Sequence, residues 1–306
     1  MSNILQEIEK INAAAQNGQR FVEESEMRFR GDVQKVAEQI ADDTRIVMLS
    51  GPSGSGKTTT AHMLTGFLES MGIGSEVISL DDFYLGKENA PRLPDGSVDF
   101  ESVHALDLEQ LQACMKDIMR KGACDMPKFD FMAGRPQKEK YPIRLGPRDI
   151  AIFEGIHAMD PHVTGSLSGD LCKIYISVES SVTKDGAEIL SSRSIRLVRR
   201  MIRDYIYRNS SPQNTLKMWS GVIHAEEISL FPYSSTADIH INSFHPYEPC
   251  VFADEILELL DMVTPTDENA HYALEILQNM HLFTPLPDDL VPEDSLLREF
   301  LGHDKT

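Results

Sequence analysis

The chain of 306 residues carries 29 Lys+Arg against 48 Asp+Glu, a net charge of −19, and a field of that sign excludes nucleic acid as a general partner. Its length allows one large domain with appendages or two small ones. Cys114, Cys124, Cys172 and Cys250 form no C-x-x-C pair and have no His at zinc-ligand spacing, which argues against a disulfide framework and a structural zinc site.

The opening MSNILQEIEK has no basic leader, and no window reaches 18 uncharged apolar residues. The chain therefore reads as cytoplasmic, without a membrane partner. From Ile4 to Ile40 apolar residues recur at three- and four-residue intervals, as in Val33, Val36, Ala37 and Ile40, and predict helix with a break at Asn17-Gly18. Such an arm packs on its own domain or joins copies, so a homo-oligomer stays open. The period then changes. Arg45 to Ser50 is a short β-branched run ending in a glycine-rich turn, followed by helical pattern from Lys57 to Ser70. Further strands are predicted at Glu76 to Leu80, Asp149 to Phe153, Lys173 to Val178 and Asp238 to Asn242, each preceded by helical pattern. This alternation predicts a mostly parallel sheet with helices on both faces. Two insertions interrupt it. Leu85 to Val103, rich in Pro, Gly and charge, reads as a functional loop, and Met126 to Arg144 reads as a β-hairpin turning at Ala133-Gly134-Arg135-Pro136. Beyond Cys250 the pattern is helical and acidic: 13 acids stand against Arg298 and Lys305 from Val251 to Thr306.

Gly51-Pro52-Ser53-Gly54-Ser55-Gly56-Lys57-Thr58 fits G-x-x-x-x-G-K-[ST] and stands between a predicted strand and a predicted helix. Backbone N–H groups of such a loop and the helix N-terminus hold phosphates, Lys57 reaches the β- and γ-phosphates, and the Thr58 hydroxyl suits Mg²⁺. Gly51, Ser53, Gly54, Ser55, Gly56, Lys57, Thr58 and Thr59 are the candidate nucleotide-binding residues. Phosphoryl transfer also needs a carboxylate near the metal and a group that orients or deprotonates the acceptor hydroxyl. Asp81 and Glu154 each follow an apolar strand, and in an open parallel sheet the carboxyl ends of strands face the ligand crevice. Arg196, Arg199, Arg200 and Arg203, spaced i, i+3, i+4, i+7, share one helix face, while Ile195, Val198, Ile202 and Ile206 gather on a different one; clustered Arg suits polyphosphate, and a phosphate-clamping lid is expected. His157 either enters the site or packs behind it, and Trp219 is expected in the core.

No N-K-x-D guanine reader, L-S-G-G-Q signature, H-R-D or D-F-G string occurs, which leaves a small-molecule kinase. The strings GPSGSGKTT, ISLDDFY (Ile78 to Tyr84), DFESVHALDL (Asp99 to Leu108), PKFDF (Pro127 to Phe131), IFEGIHAM (Ile152 to Met159), RLVRRMIRD (Arg196 to Asp204) and ADIHINS (Ala237 to Ser243) resemble, in order and spacing, the phosphoribulokinase/uridine kinase family, above all its bacterial uridine-kinase-like branch. SLLREFLG (Ser295 to Gly302) resembles that branch too. The resemblance implies an α/β P-loop NTPase fold with a mostly parallel sheet flanked by helices, a β-hairpin insertion, an Arg-rich lid helix, and helical N- and C-terminal extensions. The divisions expected are residues 1–44, a P-loop kinase domain at 45–250, and an acidic extension at 251–306.

It further implies an ATP- and Mg²⁺-dependent transfer to a small-molecule hydroxyl, the 5′-hydroxyl of uridine or cytidine first. Asp81 and Lys57 would be catalytic, with Asp81 activating the acceptor. Thr58, Asp81 and Glu154 would surround Mg²⁺; Asp81, Tyr84, Arg196 and Arg199 would meet the acceptor; and Arg199, Arg200 and Arg203 would meet the nucleotide. His104 stands where the family's nucleoside kinases carry a ribose-binding aspartate, and Phe129 and Gly134 stand where they carry a base-contacting tyrosine and histidine. The alternatives are a family kinase for another sugar-like or acidic acceptor, and a nucleotide-binding regulatory protein without turnover.

Overall fold

The computed structural model describes residues 4–93, 96–165, 167, 169 and 171–301. Positions 94 and 95 of the long loop and 302–306 of the acidic extension lie outside the described residues. The chain begins with a strand, β1 (Ile4–Glu7), before α1 (Ile8–Ala15) and α2 (Gly18–Ile40). The expected helix from Ile4 is therefore corrected over its first turn: β1 pairs in parallel with Ser180–Thr183, and Ile4 N–H donates to Glu179 O at 2.8 Å. Pairing with a distant segment overrides local propensity here.

Next come β2 (Ile46–Ser50), α3 (Lys57–Ser70) and β3 (Ser75–Ser79), the last running into a 3₁₀ turn at Leu80–Phe83. After the long loop, α4 (Leu108–Lys121) is capped by the Asp107 carboxylate, which accepts from Gln110 N–H, and it stops at Gly122 in the left-handed region. The insertion folds as two short ladders: β4 (Ala123–Met126) pairs with β7 (Tyr141–Arg144), and β5 (Phe129–Asp130) with β6 (Arg135–Pro136), both antiparallel. β8 (Ile150–Glu154), the short α5 (Pro161–Thr164) and β9 (Leu171–Ser177) follow. β10 (Ser180–Lys184) and β11 (Ala187–Leu190) form a hairpin absent from the expectations. Asp185 and Gly186 both have positive φ, 51° and 80°, at its turn; Asp-Gly between short runs is a hairpin signal. The chain continues through α6 (Ser192–Arg208), α7 (Pro212–Ser229), α8 (Phe231–Ser234), β12 (Ile239–Asn242), α9 (Glu248–Leu260), α10 (Ala270–Met280) and α11 (Arg298–Leu301).

The main sheet has the order β12-β9-β2-β8-β3, all pairs parallel. Every residue of β2 and β8 is buried, as strands covered on both faces must be. Alternation divides β2 between two cores. Val47 and Leu49 join Phe29, Ile152, Ile176 and Trp219 on one face. Ile46 and Met48 join Ile78, Phe153, Met115 and Ile118 on the other. The first core also contains Ile8 of α1 and Leu301 of α11, so helices near both ends of the described chain pack into it.

Candidate functional site

β2 ends in the glycine-rich loop at the centre of the sheet, with β8 and β3 on one side and β9 on the other. A Cβ on Gly51 would stand 2.0 Å from Ile176 O of β9, so only glycine lets the loop leave the sheet here. The half-buried Lys57 bends back over the loop, donating to Gly51 O at 2.9 Å and Pro52 O at 3.2 Å. Burial pushes its pKa down, opposed by the Glu154 carboxylate among others. The buried Ser55 hydroxyl has no hydrogen-bond partner among the described residues.

A cavity of about 270 Å³ opens above the loop, lined by Lys57, Thr58, Asp81, Tyr84, Glu154 and Arg200 among others. Asp81 stands just beyond β3, its backbone N–H held by the Ser79 hydroxyl at 3.4 Å. Glu154, the last residue of β8, is 9% exposed. Desolvation pushes both carboxyls above their ordinary range, with the Lys57 charge opposing it. The two carboxylates thus share the Lys57 ammonium, and Arg200, Arg203 and Arg208 line the same cavity. The aromatic wall is Tyr84, stacked edge-on against Phe100 and Phe129, ring centroids 5.6 Å apart in each case. The Tyr84 hydroxyl donates to Phe100 O at 3.1 Å. Phe100 thereby fixes the segment that brings the exposed Glu101 to the cavity rim.

The four arginines of α6 do not act together. Arg200 and Arg203 line the cavity, with Arg208 beside them. Asp204, 1% exposed on its side chain, pairs with all three at 3.1–3.2 Å and fixes their fan. Arg196 and Arg199, expected on the acceptor and the nucleotide, turn beneath the loop instead. Arg196 makes a bidentate pair with Glu226 at 2.7 and 2.9 Å and donates to Ser53 O. Arg199, fully buried, spends its guanidinium on Glu248 at 2.7 and 2.9 Å, Gly54 O, Ser243 O and the Ser243 hydroxyl. Its five N–H donors are thus all taken, and the assignment of Arg199 to bound ligand is corrected: it supports the loop. Glu226 also accepts from Ser53 N–H at 2.9 Å.

Of the other expected residues, Gly54, Gly56, Ser53 and Thr58 line the cavity. Thr59 faces a second cavity on the outer side of α3 and donates to Glu299 at 2.8 Å. Trp219 is fully buried. His157, 2% exposed, is pushed down to about 4 by burial, so it is neutral behind the wall. Glu101, Arg208, Glu226, Glu248 and Glu299 were missed. Arg208 lay at the end of the same arginine run, whereas the glutamates carry no motif.

The described residues contain no cluster of three or more His, Cys, Asp or Glu side chains able to hold a metal. The Thr58 hydroxyl and the carboxylates of Asp81 and Glu154 line one cavity as hard oxygen donors. That set fits Mg²⁺, which takes one or two carboxylates and completes its shell with phosphate oxygens and water.

The phosphoribulokinase/uridine kinase family model matches residues 46–247. A uridine kinase of Mycoplasma genitalium is 29% identical over 178 residues, 58% of this chain and 75% of its own. Uridine kinase-like protein 4 of Arabidopsis thaliana is 28% identical over 209 residues, 67% of this chain but only 40% of its own length. A solved phosphoribulokinase from Rhodobacter spheroides aligns with a TM-score of 0.43 at 16% identity, covering 67% of this chain and 74% of its own.

Proposed function

Because the chain belongs to the phosphoribulokinase/uridine kinase family, a family of kinases, we propose that it transfers the γ-phosphoryl group of ATP to a hydroxyl of a small molecule, the 5′-hydroxyl of uridine or cytidine first. One observation carries the reading: Lys57, Thr58, Asp81, Glu154, Arg200 and Arg203, drawn from four segments, line one cavity above the phosphate loop.

Asp81 accepts the proton of the acceptor hydroxyl as its oxygen attacks the γ-phosphorus, and ADP leaves on the opposite side. Lys57 gives up its loop carbonyls to the β- and γ-phosphates. Arg200 and Arg203, aimed by Asp204, neutralise charge that spreads over the phosphoryl oxygens. Thr58, Asp81 and Glu154 would hold Mg²⁺, which when bound lowers the charge on the phosphates. Burial beneath the loop by Arg196 and Arg199 keeps its carbonyls fixed while these groups act.

The nucleoside preference draws support from the relatives named uridine kinase. On the acceptor side, the Tyr84 ring, backed edge-on by Phe129, offers an aromatic surface suited to a base. The Glu101 carboxylate offers the hydrogen-bond acceptor for ribose hydroxyls that His104 does not, since His104 is turned against His162 with ring centroids 5.2 Å apart. The test is Mg²⁺-dependent ADP release with uridine, cytidine, purine nucleosides, pantothenate, glycerate and ribulose 5-phosphate as acceptors, with Asp81→Asn as control. Turnover stimulated by uridine or cytidine and abolished by Asp81→Asn supports the proposal. Turnover with an acidic acceptor alone moves the substrate, and ATP binding without turnover on any acceptor overturns the catalytic reading.

A further inference from the structure

The segment from Val291 to Leu301 lies outside the residues that the family model matches, 46–247, yet it is seated on the phosphate loop. Leu296, fully buried, fits against Gly56 so closely that a Cβ there would come within 2.4 Å of its Cδ1. Phe300, also fully buried, stacks under the Arg199 guanidinium at 5.2 Å. Glu299 accepts from the Thr59 hydroxyl at 2.8 Å and stands 3.7 Å from Arg203. The segment is held in shape from its own side: Arg298 donates to the carbonyls of Val291 and Asp288, and the Ser295 hydroxyl donates to Glu26 of α2 at 2.6 Å.

Between this segment and the outer face of α3 and α6 lies a second cavity of about 620 Å³, whose walls include Thr59, His62, Tyr207, Glu293 and Arg298. Thr58 and Glu299 line both cavities, so the two meet at the start of α3. The orientation of a bound triphosphate follows. Its γ-end belongs with Lys57, Asp81 and Glu154 in the first cavity, and the loop amides take the α- and β-phosphates. Thr59 then opens a path for the rest of the nucleotide into the second cavity.

We propose that residues 291–301 form the outer wall of the donor site, and that the second cavity receives the nucleoside portion of a nucleoside triphosphate. The inference rests on the kinase reading above and extends it to a part of the chain outside the residues that the family model matches. The chemistry suits that occupant: the His62 and Tyr207 rings offer stacking surfaces, and the Glu293 and Glu299 carboxylates accept from sugar hydroxyls or an exocyclic amine. The volume lies in the range of small-ligand pockets. Glu299 adds a gate of charge, since its carboxylate holds Thr59 and faces Arg203 at the point where the phosphates enter.

The test measures binding of ATP and of inorganic triphosphate, a probe with no nucleoside, to the full chain and to two cavity-filling variants on different walls, Glu293→Trp and His62→Trp. Both positions are exposed, and thermal melts check each fold. The expected result is a rise of roughly tenfold or more in the Kd of ATP for each variant, with the Kd of triphosphate changed less than about twofold. If either variant fails to fold, the other decides. Unchanged ATP binding overturns the proposal. Equal weakening of both probes also overturns it, because the segment would then act only through the phosphate loop. If the unmodified chain binds neither probe, the kinase reading itself falls.

Discussion

The layer above the phosphate loop and the layer beneath it are built from the same residue types with opposite electrostatics. Beneath, Arg196 with Glu226 and Arg199 with Glu248 are matched one to one, buried, and hydrogen-bonded to the loop carbonyls. Above, Asp81 and Glu154 share Lys57, and both carboxyls are driven upward by desolvation. The lower layer is satisfied without a ligand. The upper layer is not, and a bound cation or polyphosphate complex is what would satisfy it. Stability and chemistry are thus separated by the thickness of one loop, and substitutions on the two sides should fail in different ways.

The largest effect is expected above the loop. Asp81→Asn should lower turnover by about 10³-fold, within the range for loss of a general base, while raising the thermal stability of the unliganded protein. The sign follows from linkage. A carboxyl whose folded pKa is raised above its unfolded value costs stability wherever it is ionised, and the cost disappears as pH falls below the unfolded value of about 4. The melting temperature of Asp81→Asn should therefore exceed that of the parent at pH 7, and the two should converge in acid. A variant less stable than the parent at pH 7 would place Asp81 in the lower layer's category.

Beneath the loop the signs reverse. Arg199→Ala strands Glu248 in a fully buried position and should cost about 3–5 kcal/mol of unfolding free energy, measured by denaturant titration. Arg203→Ala, four residues along α6, leaves Asp204 still paired with Arg200 and Arg208. It should cost clearly less stability than Arg199→Ala while lowering turnover about 10²-fold. Equal stability losses for the two would erase the distinction between the layers.

This division explains what could be read from the sequence. The five strands of the main sheet, the helix from Lys57 to Ser70 and the insertion hairpin follow from hydrophobic period and turn chemistry, which are local. The i, i+3, i+4, i+7 spacing correctly groups four arginines on α6 but says nothing about which meet a carboxylate of the protein. That is decided by Glu226 and Glu248, 30 and 49 residues away. Glu299 reaches Thr59 across 240 residues of sequence, so a segment that reads as an acidic extension contributes a carboxylate to the lining of the cavity. The strand at Ile4–Glu7 was hidden for the same reason, its partner β10 being remote. The β10–β11 hairpin was different: Asp185-Gly186 announced it locally, within a stretch dominated by the arginine run that follows.

The smallest expected effect sharpens the upper layer itself, by separating residues that act on the phosphoryl group from those that hold the acceptor. Glu101 lines the same cavity as Asp81 but lies at its exposed rim, on the segment anchored by Phe100 and Tyr84. Its side chain is exposed at the rim, although desolvation pushes its carboxyl above the ordinary range with the Arg200 charge opposing it, and its loss should leave the fold unchanged. If it accepts hydrogen bonds from ribose hydroxyls, Glu101→Ala removes interactions present in both ground and transition states. The acceptor KM should then rise about tenfold, the equivalent of one hydrogen bond to a charged group, with kcat nearly constant. Glu101→Gln, which keeps an acceptor oxygen without the charge, should recover part of that loss. The same pair of variants tested with 5′-hydroxyl compounds lacking the 2′- and 3′-hydroxyls should show no penalty, because the groups that Glu101 reads are then missing from the acceptor. A fall in kcat with KM unchanged would instead move Glu101 beside Asp81, among the groups that act in the transition state.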